Sequence, residues 1–457
     1  MMKLSIVNPY SHKEITTVDC DDQQTIDKKL AKARASQREW AAMPLSHRVS
    51  VVEKFRDAMA NQINELAVVL TSEVGKPLQQ SIGEIKANLA RIQFFLDHCS
   101  EVGQTRNVRS DGNTAESISF EPLGTILNIS AWNYPFFVGT NVFVPALLMG
   151  NAVIYKPSEY ATLTGNNILD LWASAGLPEG CFQNVIGDGE VGRMLLQHDF
   201  DGVFFTGSYE TGAAIAKEVA PRMTKMQMEL GGKDPVYVCE DVDIKAVAAS
   251  VADGACYNAG QSCCGVERVY VAKEIYDEFL EALQAEVKNF KMGDPMKEET
   301  YIGPLTRQDQ LEVLEEQVRD ALTKGGRLLT GGQAAALGGN FFEPTILENL
   351  GHDMLVMTEE SFGPIIPVMK VEGDEQAVNL MNDTRYGLTA SVFTKDQKRA
   401  EAILRGVNSG SVYWNCCDRV SPFLPWSGRG HSGIGWTLST MGIEAFLRPK
   451  AWHLRTP

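Results

Sequence analysis

Thr125-Ile126-Leu127-Asn128-Ile129-Ser130 is the first of four short apolar runs that decide the fold class of this chain. The others are Ala152–Lys156, Gln183–Ile186 and Gly202–Thr206. Helix-like segments lie between them, near 140–150, 161–176, 190–197 and 210–220. Buried strands alternating with helices in this way predict βαβ units and a parallel sheet. After Gly231-Gly232 the alternation resumes with Pro235–Cys239, Arg268–Val271, Pro367–Val371, Ser391–Thr394 and Ser411–Asn415. A second α/β domain is therefore expected.

Upstream of the first run, from about Thr25 to Ser100, the spacing is helical. Val51, Phe55, Met59, Ile63, Leu66 and Leu70 recur at three- and four-residue steps, which predicts one helix face. Gly75-Lys76-Pro77 breaks that run. Residues 103–120 are polar, with Thr, Ser, Asn and Val, and predict an exposed ribbon or hairpin. The doublets Gly325-Gly326, Gly331-Gly332 and Gly338-Gly339 mark loops in the second half. No internal repeat or low-complexity tract interrupts the pattern.

The chain has 457 residues, too many for one core, so two or more domains are expected. With 42 Lys plus Arg against 58 Asp plus Glu, the net charge is -16. A surface that acidic repels nucleic acid and anionic membrane, and neither is expected as a partner. The nine cysteines are irregularly spaced, with adjacent pairs at Cys263-Cys264 and Cys416-Cys417, which predicts free thiols in a reducing compartment rather than a disulfide framework. The seven histidines show no metal-ligand spacing, so no metal is expected. Met1 to Thr17 has no apolar core of a signal peptide. The most apolar stretch, Phe136 to Gly150, is too short to span a bilayer and holds Asn141 and Pro145. A soluble, cytoplasmic protein is the expectation.

Two glycine motifs compete for a dinucleotide. Gly187-Asp188-Gly189-Glu190-Val191-Gly192 has the G-x-G-x-x-G spacing after a strand, but no acidic residue follows in Phe204–Tyr209, where the fingerprint needs one near. A plain strand-to-helix turn gives the same spacing. Gly207 and Gly212, in Phe-Phe-Thr-Gly-Ser-Tyr-Glu-Thr-Gly, also join a strand to a helix whose N-terminus can receive a pyrophosphate.

Asn258-Ala259-Gly260-Gln261-Ser262-Cys263-Cys264 is the sharpest segment. A cysteine in a Gly-, Gln- and Ser-bearing loop is reachable and surrounded by free N–H groups, which favours a thiolate nucleophile. The same residues suit a pair of buried core cysteines. Asn133, at the end of a strand in Ser130-Ala131-Trp132-Asn133-Tyr134-Pro135, is an oxyanion donor or a turn residue. Glu229, between Met228 and Leu230-Gly231-Gly232, is a general base with a burial-raised pKa or an ion-pair partner.

Six segments taken together and in order narrow these alternatives. They are Trp132-Asn133-Tyr134-Pro135, Lys156-Pro157-Ser158-Glu159, Phe205-Thr206-Gly207-Ser208, Glu229-Leu230-Gly231-Gly232-Lys233, Gly260-Gln261-Ser262-Cys263 and Glu360-Ser361-Phe362-Gly363-Pro364. Over nearly its whole length the chain resembles the NAD(P)-dependent aldehyde dehydrogenase superfamily. The resemblance implies an α/β fold with a Rossmann-like cofactor domain (1–102 and 121–230), a catalytic α/β domain (231–430), and an oligomerisation ribbon with a C-terminal tail (103–120 and 431–457). It implies oxidation of an aldehyde to a carboxylic acid. Cys263 would form a thiohemiacetal, Asn133 and the Cys263 N–H would hold the oxyanion, and Glu229 would activate water on the thioester. Lys156, Glu159, Gly207, Ser208, Gly212, Glu360, Phe362 and Trp132 would hold the coenzyme, and the 187–192 loop would merely lie near the adenine. NAD is expected over NADP, because Glu159 would repel a 2′-phosphate. A homodimer or homotetramer is expected.

The expected tunnel residues are Trp132, Tyr134, Asn141, Ser262, Cys264 and Trp426. They include no arginine, which disfavours a substrate with a terminal carboxylate. The frequent Pro-Phe-Gly-Gly of the superfamily is here Pro425-Trp426-Ser427-Gly428, a departure that touches the substrate pocket rather than the chemistry. Relatives that pass the acyl group to coenzyme A or phosphate share the cysteine thioester but need no water-activating glutamate, so Glu229 argues for hydrolysis.

Overall fold

The computed structural model describes residues 2–456. Two sheets dominate it. The first has six strands in the order Gly433–Ile434, Lys225–Glu229, Gly202–Thr206, Thr125–Ile129, Ala152–Lys156 and Phe182–Asn184. All neighbours are parallel except the outermost Gly433–Ile434, which runs against Lys225–Glu229. The second has seven strands in the order Arg327–Thr330, Thr345–Glu348, Ile365–Val371, Arg268–Ala272, Pro235–Val238, Thr389–Phe393 and Ser411–Trp414. Only its first pair is antiparallel.

The apolar runs became strands because they are buried on both faces. Every residue of Ala152–Lys156 and of Gly202–Thr206 is buried. Parallel strands covered by helices on both sides must read as continuous apolar runs. The covering helices are Pro135–Leu148, Thr162–Ser174, Gly189–Leu196 and Tyr209–Val219. Proline at position 145 does not end the first of these; the helix begins at Pro135 and runs through it to Leu148. Its start is capped from outside, since the N–H groups of Phe136 and Phe137 donate to the Glu84 carboxylate at 3.0 and 3.4 Å.

The periodic run upstream is two helices, not one. Leu45–Ala60 buries Val51, Phe55 and Met59, and Ile63–Val74 buries Leu66 and Leu70, with a turn at Asn61-Gln62 between them. Because the two helices pack on the same core, the spacing survives the break. Phe55 stacks on Trp172 at 3.7 Å between ring centroids, within an aromatic cluster that adds Phe143 and Phe182. Gly75 ends the second helix at φ 86°, and a Cβ there would lie 2.8 Å from Pro304. Only glycine fits a left-handed cap pressed against a ring in this way.

Residues 431–446, expected in the ribbon and tail, belong mostly to the first sheet and its covering layer. Gly433–Ile434 joins that sheet, and Ser439–Glu444 packs on the helices Leu78–Val102 and Pro135–Leu148. The three-stranded ribbon proper is Arg106–Asp111, Thr114–Pro122 and Leu447–Arg455, antiparallel throughout, with its two outer strands largely exposed.

Candidate active site

Four strands of the first sheet end level with one another. Ile129 pairs with both Lys156 and Phe205, and Thr206 pairs with Glu229. Strand order turns back between Thr125–Ile129 and Gly202–Thr206, so the crevice beyond these ends is the topological switch point where open parallel sheets take ligands. The segment after the first strand carries Trp132 and Asn133. Lys156 closes the second, Gly207-Ser208 follows the third, and Glu229 closes the fourth. Gly187–Gly192, by contrast, follows the edge strand Phe182–Asn184. Its Asp188 caps the next helix at Glu190 N, and a Cβ on Gly187 would meet Val191 at 2.2 Å. That motif is turn chemistry.

The second sheet meets this crevice with its N-terminal edge. Cys263 lies in the loop that enters Arg268–Ala272, and Glu360 and Phe362 lie in the loop that enters Ile365–Val371. The cysteine loop is tightly wound. Asn258, Ala259 and Gly260 all have left-handed φ, at 55°, 55° and 72°. For alanine that conformation costs about 1–2 kcal/mol. The surroundings enforce it: a Cβ on Gly260 would lie 2.3 Å from the Gly363 carbonyl, and the Gln261 carboxamide accepts from Thr306 N at 2.9 Å.

Hydrogen bonds stitch the two edges together. Asn133 Nδ2 donates to the Gln261 carbonyl at 3.2 Å, and Asn258 Nδ2 donates to the Asn133 carbonyl at 3.2 Å. Asn133, 4 % exposed, is thereby held two residues from Cys263 in the facing loop. The adjacent thiols differ sharply. Cys263 is half-buried; Cys264 is buried, with its Sγ 3.1 Å from Asp418 Oδ1. Ser262 Oγ donates to the same oxygen at 2.9 Å. Contact with the Cys263 thiol, burial and the Asp418 carboxylate hold the Cys264 thiol well above the ordinary thiol range. Ser262 and Cys264, expected to line a tunnel, thus have their polar atoms engaged by a residue the sequence did not single out.

Glu229 is buried, and burial pushes its carboxyl up to about 7. Hydrogen bonds, first from Thr437, and the nearby Arg91 charge oppose the rise. Thr437 arrives on the segment that leaves the second sheet: its backbone pairs with Trp426 at 2.8 and 2.9 Å, and its hydroxyl donates to Glu229. Trp426 is 5 % exposed beside it.

On the other flank, the Glu360 carboxylate accepts from Gly232 N at 3.0 Å, and burial raises it to about 8. A Cβ on Gly231 would lie 2.2 Å from that carboxylate, so the glycine pair is what lets it approach the backbone. Lys233 and Glu267, both buried, pair at 2.6 Å, and Glu267 accepts from the N–H groups of Ser361 and Phe362. This ion pair fixes the loop bearing Glu360 and Phe362. Phe362 meets Trp132 edge-on at 5.5 Å between centroids. Lys156 is buried with its ammonium 4.0 Å from Glu159, whose side chain is about one-third exposed. Ser208 caps the helix Tyr209–Val219, and side chains at Gly207 and Gly212 would collide with Phe205 and Leu230 at 2.4 and 2.5 Å.

Tyr134, Phe137 and Asn141 line up along the helix Pro135–Leu148 and the residue before it. Tyr134 stacks on Phe137 and lies beneath the Lys76 ammonium, which is 3.8 Å from its ring centroid. Facing them is Arg91, absent from the residues expected at the tunnel. Its Nη1 donates to Asn141 Oδ1 at 3.0 Å, and its guanidinium lies 4.1 Å from the Phe137 ring centroid. The helix Leu78–Val102 carries it in a buried polar stripe with Gln80, Glu84 and Asn88. Among the described residues no cluster of three His, Cys, Asp or Glu is placed to hold a metal ion.

A family model described as the aldehyde dehydrogenase family matches residues 2–452. A succinate-semialdehyde dehydrogenase [NADP(+)] of Deinococcus radiodurans is 31% identical over 445 residues, covering 97% of this chain and 93% of that protein. A betaine aldehyde dehydrogenase of Bacillus subtilis is 31% identical over 460 residues, covering 99% of this chain and 94% of that protein. Among solved structures, 3,6-anhydro-L-galactose dehydrogenase in complex with NAP superposes with a TM-score of 0.96 at 32% identity, covering 99% of this chain and 96% of that one.

Proposed function

The chain belongs to the aldehyde dehydrogenase family, whose members oxidise aldehydes to acids with NAD(P), and on that premise we propose that Cys263, Asn133 and Glu229 carry the reaction here. The observation behind this reading is the meeting of the Asn133 and Cys263 loops through the Gln261 carbonyl, with a buried glutamate at the end of an adjacent strand. The half-buried Cys263 sulfur attacks the aldehyde carbon, forming a C–S bond as the carbonyl electron pair moves onto oxygen. The Asn133 carboxamide and the Cys263 N–H donate to the oxygen that becomes negative, which is where fixed donors lower a barrier most. A bound nicotinamide coenzyme would supply the acceptor for the hydride that the former aldehyde carbon loses as the oxyanion collapses, leaving a thioester on Cys263. Glu229 then takes a proton from water, which attacks the Cys263 thioester and releases the acid. The test is NAD(P)H formation with a panel of aldehydes and no coenzyme A. A strict requirement for coenzyme A would replace hydrolysis by acyl transfer and remove Glu229's role.

Glu229 must be ionised to accept that proton. With its pKa raised to about 7, the ionised fraction grows as pH rises through 7, and steady-state turnover should rise with it. The check is kcat against pH in buffers of constant ionic strength. A flat profile across that range in the wild-type protein would take deacylation away from Glu229.

The bare strand-to-helix turn at Gly207 and Gly212, the helix N-terminus at Ser208, and the carboxylates of Glu159 and Glu360 fit a dinucleotide: phosphate at the helix start, ribose hydroxyls at the carboxylates. Lys156 and Glu159 would take the adenosine ribose, and Glu360 the nicotinamide ribose, with Trp132 and Phe362 packed beside it. NAD is the preferred coenzyme in this reading, although the Deinococcus relative is named for NADP(+). Glu159→Ser should raise kcat/KM for NADP relative to NAD by roughly tenfold, by removing one charge from beside the 2′-phosphate. A ratio unmoved by the substitution would show that Glu159 does not set the choice.

No helix of the described residues is long and apolar enough to cross a membrane. All nine cysteines are free thiols, in keeping with a reducing compartment such as the cytoplasm. The exposed ribbon edge at Arg106–Asp111 favours a homodimer or homotetramer built through it.

A further inference from the structure

The three relatives above are named for an anionic, a cationic and a neutral aldehyde, at 31%, 31% and 32% identity, so overall likeness does not select among them. Charge inside the site does. Arg91 is 5 % exposed on the face of Leu78–Val102 turned to Phe137 and Asn141. Its neighbours on that face answer to protein groups: Gln80 bonds Tyr301 O and Asn258 N, and Glu84 pairs with Lys76 and caps Phe136. Arg91 has one hydrogen bond, to the neutral Asn141, and no ion pair among the described residues. Its other N–H groups have no hydrogen-bond partner among the described residues. Both nearby carboxylates lie beyond ion-pair distance of it: Glu84 pairs with Lys76, and Glu229 accepts the Thr437 hydroxyl. A buried cation with no ion pair of its own is costly to maintain and can be completed by an anion supplied from outside.

We propose that Arg91 is a specificity-determining residue that receives the terminal carboxylate of a short semialdehyde whose other end reaches Cys263. The proposal rests on the aldehyde dehydrogenase reading above and deepens it. The planar guanidinium fork matches a carboxylate in two parallel hydrogen bonds. Phe137 and Tyr134 supply an apolar wall for the methylenes between the two ends. A cationic tail would be repelled, and a doubly charged phosphonate tail would bring more charge than the one guanidinium balances.

The experiment compares kcat/KM for succinic semialdehyde, its terminal amide, and the trimethylammonium and phosphonate analogues of the same length. Wild-type protein should prefer the carboxylate over the amide by about 10–100-fold, with the cation poorest and the phosphonate below the carboxylate. Arg91→Gln should bring the carboxylate-to-amide ratio close to one, chiefly through the KM of the carboxylate, and Arg91→Lys should keep part of it. Loss of the Arg91 charge also acts on Glu229, but on both substrates alike, so the ratio isolates tail recognition. Should Arg91→Gln fail to fold, wild-type protein gives the answer: succinate should inhibit turnover of the amide at least about tenfold better than succinamide. A wild-type ratio near one, a ratio unmoved by Arg91→Gln, equal inhibition by succinate and succinamide, or a preference for the phosphonate each overturns the proposal. Turnover of the amide without carboxylate preference sinks only the role of Arg91, whereas no turnover of any aldehyde sinks the enzymatic reading as well.

Discussion

Cys263→Ala is expected to abolish aldehyde oxidation, by on the order of 10⁴-fold or more, while leaving coenzyme binding intact. In the proposed mechanism this removes the covalent route outright, whereas the groups proposed to hold the dinucleotide lie elsewhere: Lys156 at the end of one strand with Glu159 after it, and Ser208 after another. The adjacent thiol is no substitute. Cys264 is buried, its Sγ is 3.1 Å from Asp418, and its proton is held there by the Cys263 contact, burial and the carboxylate. Cys264→Ala should therefore keep substantial activity. Steady-state NAD(P)H formation gives the rates, and fluorescence titration with the coenzyme gives the binding. A dead Cys264→Ala beside an active Cys263→Ala would shift the nucleophile by one residue and undo the assignment.

The strands of the first sheet were legible because burial on both faces leaves a simple trace, a short apolar run such as Ala152–Lys156 between helical spacings. Lys225–Glu229 left no such trace. Its sequence, Lys-Met-Gln-Met-Glu, reads as polar because it starts exposed at Lys225 and ends on the buried carboxylate Glu229. Placing Glu229 at a strand end level with Thr206 needed the pairing itself. Nothing in the sequence sets Gly433–Ile434 apart from a tail, because two residues pairing across a sheet edge have no periodicity to read.

The buried polar stripe was illegible for a different reason. Gln80, Glu84, Asn88 and Arg91 recur at helical spacing, the signature of a solvated face. Here that face is turned inward, where Glu84 caps one helix, Asn88 bonds Thr140 at 2.9 Å and Arg91 bonds Asn141. Periodicity reports that residues share a face, and only packing reports which way the face looks. Thr437 belongs with these, because its hydroxyl reaches a residue 208 positions earlier and no local pattern marks it.

Glu229→Gln should oxidise one aldehyde per site and then stall as a thioester. Cys263 and Asn133 remain, so the steps before deacylation proceed, and a stopped-flow burst of NAD(P)H near one equivalent is expected. Steady-state turnover should fall by roughly 10²–10⁴-fold, the usual worth of a positioned general base. The substitution suits the site. A neutral carboxamide is nearly isosteric with the protonated acid that burial already favours below pH 7, and its oxygen can still accept from Thr437. The same logic makes the wild-type protein its own control. Well below pH 7, with Glu229 protonated, it should show a burst that outruns its steady state, and the gap should close as pH rises. Glu229→Gln should keep its burst at every pH. Normal steady-state turnover in the variant, or a burst lost along with it, would assign the glutamate to structure or to an earlier step rather than to activating water.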